Sequence, residues 1–277
     1  MTTPGEPQTS EAPSTEAQPL IPAPVKKRRV WPLVVVVVVL AVLVAGFFVA
    51  DAAAKTYAQD QIKQKIGAAL GVDPKTDVKV TIGGGSVLLQ ALSGKLTTVD
   101  VAVPTLAFGD LVGSATLHAT QVPLNENDPV KTLAISYRVS EKNVGVLASD
   151  LSGMALDTIT LDKPEIVANS TFSVFGIGIP VGLGLTPSVS HGQLVFTPTT
   201  IQVNGASFTA KQLFATPGLG SLAKKLLRQQ TFCVAQYLPK ALTVTSAKIA
   251  DHQFVLAISG DKAVLGGTDF TTKGSCS

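Results

Sequence analysis

Residues 175–185 read FGIGIPVGLGL, and the way they alternate decides the fold. Phe175, Ile177, Ile179, Val181, Leu183 and Leu185 are all large and apolar, while Gly176, Gly178, Pro180, Gly182 and Gly184 between them carry almost no side chain. A strand sends alternate residues to opposite faces, so this stretch predicts a continuous greasy face backed by nearly bare backbone. Its glycine and proline content excludes a helix. Bare backbone invites close approach. Two readings fit: a helix packs on the glycine face and the stripe is ordinary core, or part of the stripe lines an apolar cavity.

Outward from this stretch, short alternating runs dominate. Val78, Val80 and Ile82 alternate ahead of the Gly83-Gly84-Gly85 turn, and Val87, Leu88, Leu89 and Leu92 come next as an exposed-looking apolar patch. Leu96, Val99, Val101 and Val103 mark a strand, with further strands expected over 116–122, 132–139 and 155–161. Ser140 is placed to cap a short helix with Val144, Leu147, Ala148 and Leu151 on its apolar side. Residues 192–196 and 200–203 read as one hairpin partner that ends at the Asn204-Gly205 turn. Leu222, Ala223, Leu226 and Leu227 suggest a helix whose Lys224, Lys225 and Arg228 form a solvated face. Residues 241–249 and 254–258 read as a strand pair turning at Asp251 and His252. Many strands, few helices and no βαβ alternation predict an α+β fold with an antiparallel sheet.

Ahead of the strands, Ala54, Ala58, Ile62, Ile66 and Leu70 recur every four residues, the period of a helix packing one face on a core. That helix continues from residues 31–50, WPLVVVVVVLAVLVAGFFVA, which hold no charge across the length a bilayer core requires. Trp31 suits the interface, and Pro32 falls in the first turn, where its missing N–H costs little. Lys26, Lys27, Arg28 and Arg29 stand directly before the run, as at the cytoplasmic end of a membrane helix. Residues 31–50 are therefore expected to be a transmembrane anchor, with residues 52–277 an extracytoplasmic domain. A cleaved signal is the competing reading, since Ala50, Ala52, Ala53 and Ala54 offer small residues, but the apolar run exceeds a signal peptide's 7–15 residues. Residues 1–30, rich in Pro, Thr, Ser, Glu and Gln, are expected to be a disordered cytoplasmic tail ending in the basic block.

The net charge of +3 owes much to that block, so no nucleic-acid surface is indicated. The two cysteines, Cys233 and Cys276, make an even count in an exported domain and suggest a disulfide; two unrelated buried thiols are the alternative. His118, His191 and His252 fall on separate elements and match no metal-ligand or catalytic spacing, so neither a metal, nor a cofactor, nor an enzyme is expected.

The order of several diffuse motifs carries a family resemblance. It runs from Val78-Lys79-Val80-Thr81-Ile82-Gly83 through Leu88-Leu89-Gln90-Ala91-Leu92-Ser93-Gly94-Lys95-Leu96 to Val99-Asp100-Val101. It continues with Leu183-Gly184-Leu185-Thr186-Pro187, Gly192-Gln193-Leu194-Val195-Phe196-Thr197-Pro198, Cys233, Leu238-Pro239 and Cys276. The chain resembles the LmeA family of actinobacterial cell-envelope phospholipid-binding proteins from about Ala52 to Cys276. It departs at Ser86-Val87, where the family pattern has a Pro-Phe pair and a larger apolar wedge. The resemblance implies a tubular lipid-binding-like fold, a curved antiparallel sheet wrapped on a long helix around an apolar cavity for acyl chains.

The expected function is a membrane-tethered protein that binds, and in the stronger form transfers, phospholipid outside the membrane. Val87, Leu88, Leu89, Leu92, Phe172, Phe175, Ile177, Ile179, Val181, Leu183 and Leu185 are the residues expected to contact acyl chains. The alternative is a non-catalytic assembly module that binds an envelope protein.

Overall fold

The computed structural model describes residues 31–70, 73, 76–108, 111–145, 157–174, 177–215 and 229–276, without the side chains of 31–34, 68–70, 108, 172, 174, 210, 213 and 214. The expected tail over 1–30, Leu147 and Leu151, Phe175 with Gly176, and the expected helix near 222–228 lie outside the described residues. The chain divides between Gly46 and Phe47 into two compact units.

The apolar run passes without a break into the amphipathic turns beyond it: α1 (Trp31–Leu70) is one helix of 40 residues. Residues 35–50 are exposed throughout, and α1 is, among the described residues, the one helix long and apolar enough to cross a membrane. Past Phe47 the pattern becomes amphipathic. Ala58, Ile62 and Ile66 pack against the core, as their four-residue spacing predicts. Gln59 Nε2 donates to the Val80 carbonyl at 2.8 Å, and Lys65 pairs with Glu126.

The strands and small helices come in the order β1 (Lys79–Gly83), α2 (Val87–Leu92), β2 (Lys95–Phe108), β3 (Leu111–Pro123), β4 (Thr132–Ser140), β5 (Thr158–Asp162), β6 (Glu165–Val174), β7 (Ile177–Ser190), β8 (Gln193–Val203), β9 (Ala206–Thr209), α3 (Ala210–Ala215), β10 (Gln230–Cys233), β11 (Thr243–Ala250), β12 (Gln253–Ser259) and α4 (Thr268–Thr271). Every pairing among these strands is antiparallel. They build two sheets, where the family resemblance led to the expectation of one. The first has the order β1-β2-β3-β4-β12-β11, and the second β10-β8-β7-β6-β5 with β9 beside β8. The last hairpin, β11–β12, thus returns to β4 and completes the first sheet, while the middle of the chain forms the second.

One apolar cluster joins the sheets. It takes Ile82, Val99, Val101, Val139, Ile249 and Leu256 from the first and Ile159, Leu161, Ile166 and Leu194 from the second. Tyr137 is in the same cluster, 4% exposed, and its ring lies on the bare backbone of Gly113, where a Cβ would come 2.8 Å from Cζ. A buried hydroxyl needs partners. The Tyr137 hydroxyl lies 3.0 Å from the Leu106 carbonyl oxygen and 2.7 Å from that of Leu111, and so ties the far end of the β2–β3 hairpin to β4. Burial pushes its pKa up to about 12. The Cys233–Cys276 disulfide forms, fastening the C-terminal segment to β10 at the edge of the second sheet.

Tyr137→Phe should cost about 1–2 kcal/mol, because the Leu106 and Leu111 carbonyls lose a buried donor. The raised folded pKa also fixes a sign. The stability held by the neutral hydroxyl is complete below the ordinary value of 10.0 and is lost as pH rises through about 12. Thermal melts from pH 9 to 12 (about the alkaline range of that titration) should show a steeper loss in the parent than in the variant. Equal slopes would remove Tyr137 from the account.

Candidate functional site

β7 carries the alternation read from residues 175–185, and its neighbours extend it. Ile179 pairs with Phe172, Val181 with Ser170 and Val203, and Leu183 with Ala168 and Ile201; Ile201 in turn pairs with Phe208 of β9. Cross-strand partners share a face, so Val181, Leu183, Ala168, Val203, Ile201 and Phe208 form one apolar surface across β6, β7, β8 and β9, interrupted by Ser170. Its burial is graded. Leu185 packs against the main core and Ile201 is buried, but Val203 and Phe208 are 38% and 40% exposed and Ile177 is 68% exposed. Ile179, Val181 and Leu183 lie between, half-buried. The stripe is therefore core at one end and an open apolar surface at the other. Phe172 shares its backbone register, while Phe175 lies outside the described residues.

The glycine face is closed by the sheet itself. A Cβ on Gly182 would lie 2.6 Å from Asn169 Oδ1 and 3.2 Å from Gln202 Cβ, and one on Gly184 would fall on Thr200 Oγ1 and Glu165 Oε2. Thr200 Oγ1 donates to Glu165 Oε2 at 2.8 Å. These two residues stand on the strands that flank β7, so the hydrogen bond passes directly over Gly184. Among the described residues, it is neighbouring side chains, not a helix, that take up the space the missing Cβ atoms leave.

The second expected group sits elsewhere. α2 packs on β2 in the first sheet. Val87 and Gln90 are buried, at 4% and 6%, whereas Leu89 and Leu92 are 59% and 85% exposed and Leu88 is half-buried. Gln90 fixes this orientation. Its Nε2 donates to the carbonyls of Gly83 and Gly85, and its Oε1 accepts from Thr97 N at 2.7 Å. Ser86 Oγ accepts from Leu89 N as the N-cap and donates to Asp51 Oδ1 at 2.7 Å; the same carboxylate oxygen accepts from Leu88 N at 2.9 Å. Those bonds, first that from Leu88 N and then that from Ser86, hold the Asp51 carboxyl below its usual pKa. Neither Asp51 nor Gln90 stood out in the sequence. A polar residue inside the apolar α2 pattern was the available sign of Gln90.

A third feature escaped the sequence altogether. The solvent face of the first sheet forms an open groove of about 690 Å³, lined by small side chains including Thr81, Ala102, Thr116, Ala134, Ser136 and Ala257. His118 Nδ1 lies 2.6 Å from Asp100 Oδ1 at this groove, both side chains about half exposed. It is open to solvent, and its lining is mostly apolar, with hydroxyls from Thr81, Thr116 and Ser136 among the small side chains. Its residues were legible only as the outward half of each strand's alternation, small or polar side chains with no spacing that marks a groove.

The family model described as LmeA-like phospholipid-binding matches residues 49–259, and the chain belongs to that family. The match spans every expected acyl-contact residue and both sheets, and it begins inside the apolar run. No curated protein matches the chain, and no solved structure does.

Gly184→Val should destabilise the chain by about 1–3 kcal/mol, since the new side chain must displace the Thr200–Glu165 pair from a packed face. The double variant with Thr200→Ala should recover part of that loss in chemical denaturation. No recovery would mean that the cost lies in the backbone and not in the side chains crossing β7.

Proposed function

We propose that this member of a phospholipid-binding family is an extracytoplasmic lipid binder tethered to its membrane by the first half of α1. In this reading residues 31–50 span the bilayer, with the basic residues 26–29 on the cytoplasmic side and residues 52–277 outside it. The disulfide supports the outer placement, because such bridges persist in oxidising compartments. The observation that carries the lipid assignment is the graded apolar surface on β7, half-buried against the core at Leu185 and open at Ile177. An acyl chain laid along Ile177, Ile179, Val181 and Leu183, and reaching Phe172 and Phe175, exchanges water for apolar contact at about 0.8 kcal/mol per methylene. Two such chains give useful affinity with few polar contacts, which suits a surface built from aliphatic side chains. A cavity for acyl chains opening from that surface is the fuller form of the proposal, beside the packed core on which Ala58, Ile62 and Ile66 lie. Passing a bound lipid onward is the extended form of the same proposal.

The groove on the first sheet favours a second reading, in which an envelope protein docks there and the β7 surface serves assembly.

Photo-crosslinking separates the two. The full chain, reconstituted in vesicles holding a phospholipid with a diazirine on one acyl chain, should be labelled within residues 177–185 as well as along residues 31–50. Ile179→Asp with Val181→Asp should cut the β7 label at least about tenfold, because about 1.4 kcal/mol of lost affinity is tenfold and a carboxylate against hydrocarbon costs more. Labelling confined to the membrane helix in the parent chain would overturn lipid binding at β7.

A further inference from the structure

α2 presents an unusual combination. Its inward face is fixed by Val87 and by the three hydrogen bonds of Gln90, so the helix cannot roll to hide its other side. Its outward face shows Leu89 and Leu92, three residues apart and therefore on the same side of the helix. Leucines this exposed at 59% and 85%, on a helix held rigid, call for a partner that lies outside the described protein surface.

The position of α2 identifies that partner. Asp51 is the first charged residue after the apolar run, and its carboxylate holds both Ser86 Oγ and Leu88 N. α2 therefore starts at the level where the run ends. A helix of six residues is about 9 Å long at 1.5 Å per residue, so both leucines lie within about 10 Å of that level along the helix. Directly before Asp51, Phe47, Phe48 and Val49 are also exposed, at 38%, 66% and 71%. The exposed apolar side chains thus continue from the end of the run, across the Asp51 contact, onto α2. Amphipathic segments that rest in a bilayer interface bury an apolar face by about 5–10 Å, the same depth range.

We infer that α2 docks on the outer surface of the same bilayer that α1 enters, with Leu89 and Leu92 inserted at the boundary between head groups and acyl chains. The inference rests on the tether reading above. It adds a second point of attachment, clamped to the first by Asp51. A domain on a single helix can swivel, whereas one held at two points about a nanometre apart keeps one face toward the membrane.

The chain's single tryptophan, Trp31, makes the test internally controlled. The full chain is reconstituted in phosphatidylcholine vesicles with phospholipid brominated high on the acyl chain. Trp31 in the parent reports the span, and L92W in a Trp31→Phe background reports α2. The expected result is roughly twofold quenching of the indole at position 92 by brominated lipid, with protection from aqueous iodide, matching an interfacial depth. Iodide quenching without lipid quenching at position 92, while Trp31 is quenched by lipid, would overturn the docking and leave the tether intact. No lipid quenching at either position would overturn both. L89W in the same background guards against a local disturbance at position 92 and should behave alike. Asp51→Ala should return the indole at position 92 to iodide while crosslinking at β7 persists; an unchanged depth would remove Asp51 from the clamp.

Discussion

Ile82, Val99 and Ile249 from one sheet meet Leu161, Ile166 and Leu194 from the other in a single cluster, and Ala58, Ile62 and Ile66 of α1 lie against it. Both sheets and the helix thereby share one core, and the cluster depends on register. Each strand contributes alternate residues, so a slip of one position would turn its apolar set to water. Turns guard against the slip. Asn204, Asp251 and His252 take positive φ angles of 48°, 52° and 54°, and Gly205 takes 78°, so β8–β9 and β11–β12 reverse within two residues and leave little freedom in how the strands pair.

The same alternation explains why the second sheet has an open end. Along β7 the apolar face does not change its chemistry between Leu185 and Ile177; only its cover changes. A sheet that served packing alone would place polar residues where the cover stops. Here the apolar residues continue, and glycines on the opposite face let Thr200 and Glu165 lock β6 to β8 above β7. The strand is thereby braced from one side, while among the described residues its apolar face stays open toward Ile177. Such rigidity suits the proposed lipid contact, since ordering a loose surface would subtract from affinity.

Much of this was legible in sequence because its periods are strong. The helix face at Ala58, Ile62 and Ile66, the strand at Val78 to Ile82 and the closing hairpin rest on spacing, and the Cys233–Cys276 bridge on an even count in an exported domain. Three things were not. β8 read as one hairpin partner in two runs, 192–196 and 200–203, with Pro198 in the gap, yet a register shift opposite Gly184 and Leu185 absorbs the proline and the strand runs through. β2 read as a strand only as far as Val103, just ahead of Pro104, and there too a shift between Val103 and Leu106 carries the strand on to Phe108. Prolines at bulges give up no ladder hydrogen bond. α2 read as a loose patch because six residues are too few to show a helical period. Only Gln90, bound to the glycine turn ahead of the helix and to Thr97 beyond it, reveals which of its sides faces in.

Asp51 bears on whether the anchor stays attached. The small residues at Ala50, Ala52, Ala53 and Ala54 fit a processing site, and in the proposed reading cleavage among them would turn a tethered lipid binder into a free one. Yet α1 continues as helix through all of them, and Asp51 supplies the acceptor for Ser86 Oγ and Leu88 N. A cut after Ala52 would remove that carboxylate together with the span and leave the start of α2 without its cap partner. The family match also begins at residue 49, just ahead of Asp51. The folded domain thus includes Asp51, so under the proposed tether a cut past that residue would take from α2 a partner that the domain itself uses. On that reading the distance over which a lipid could be handed on is set by the reach of the domain above the membrane, and the β7 surface must work within it.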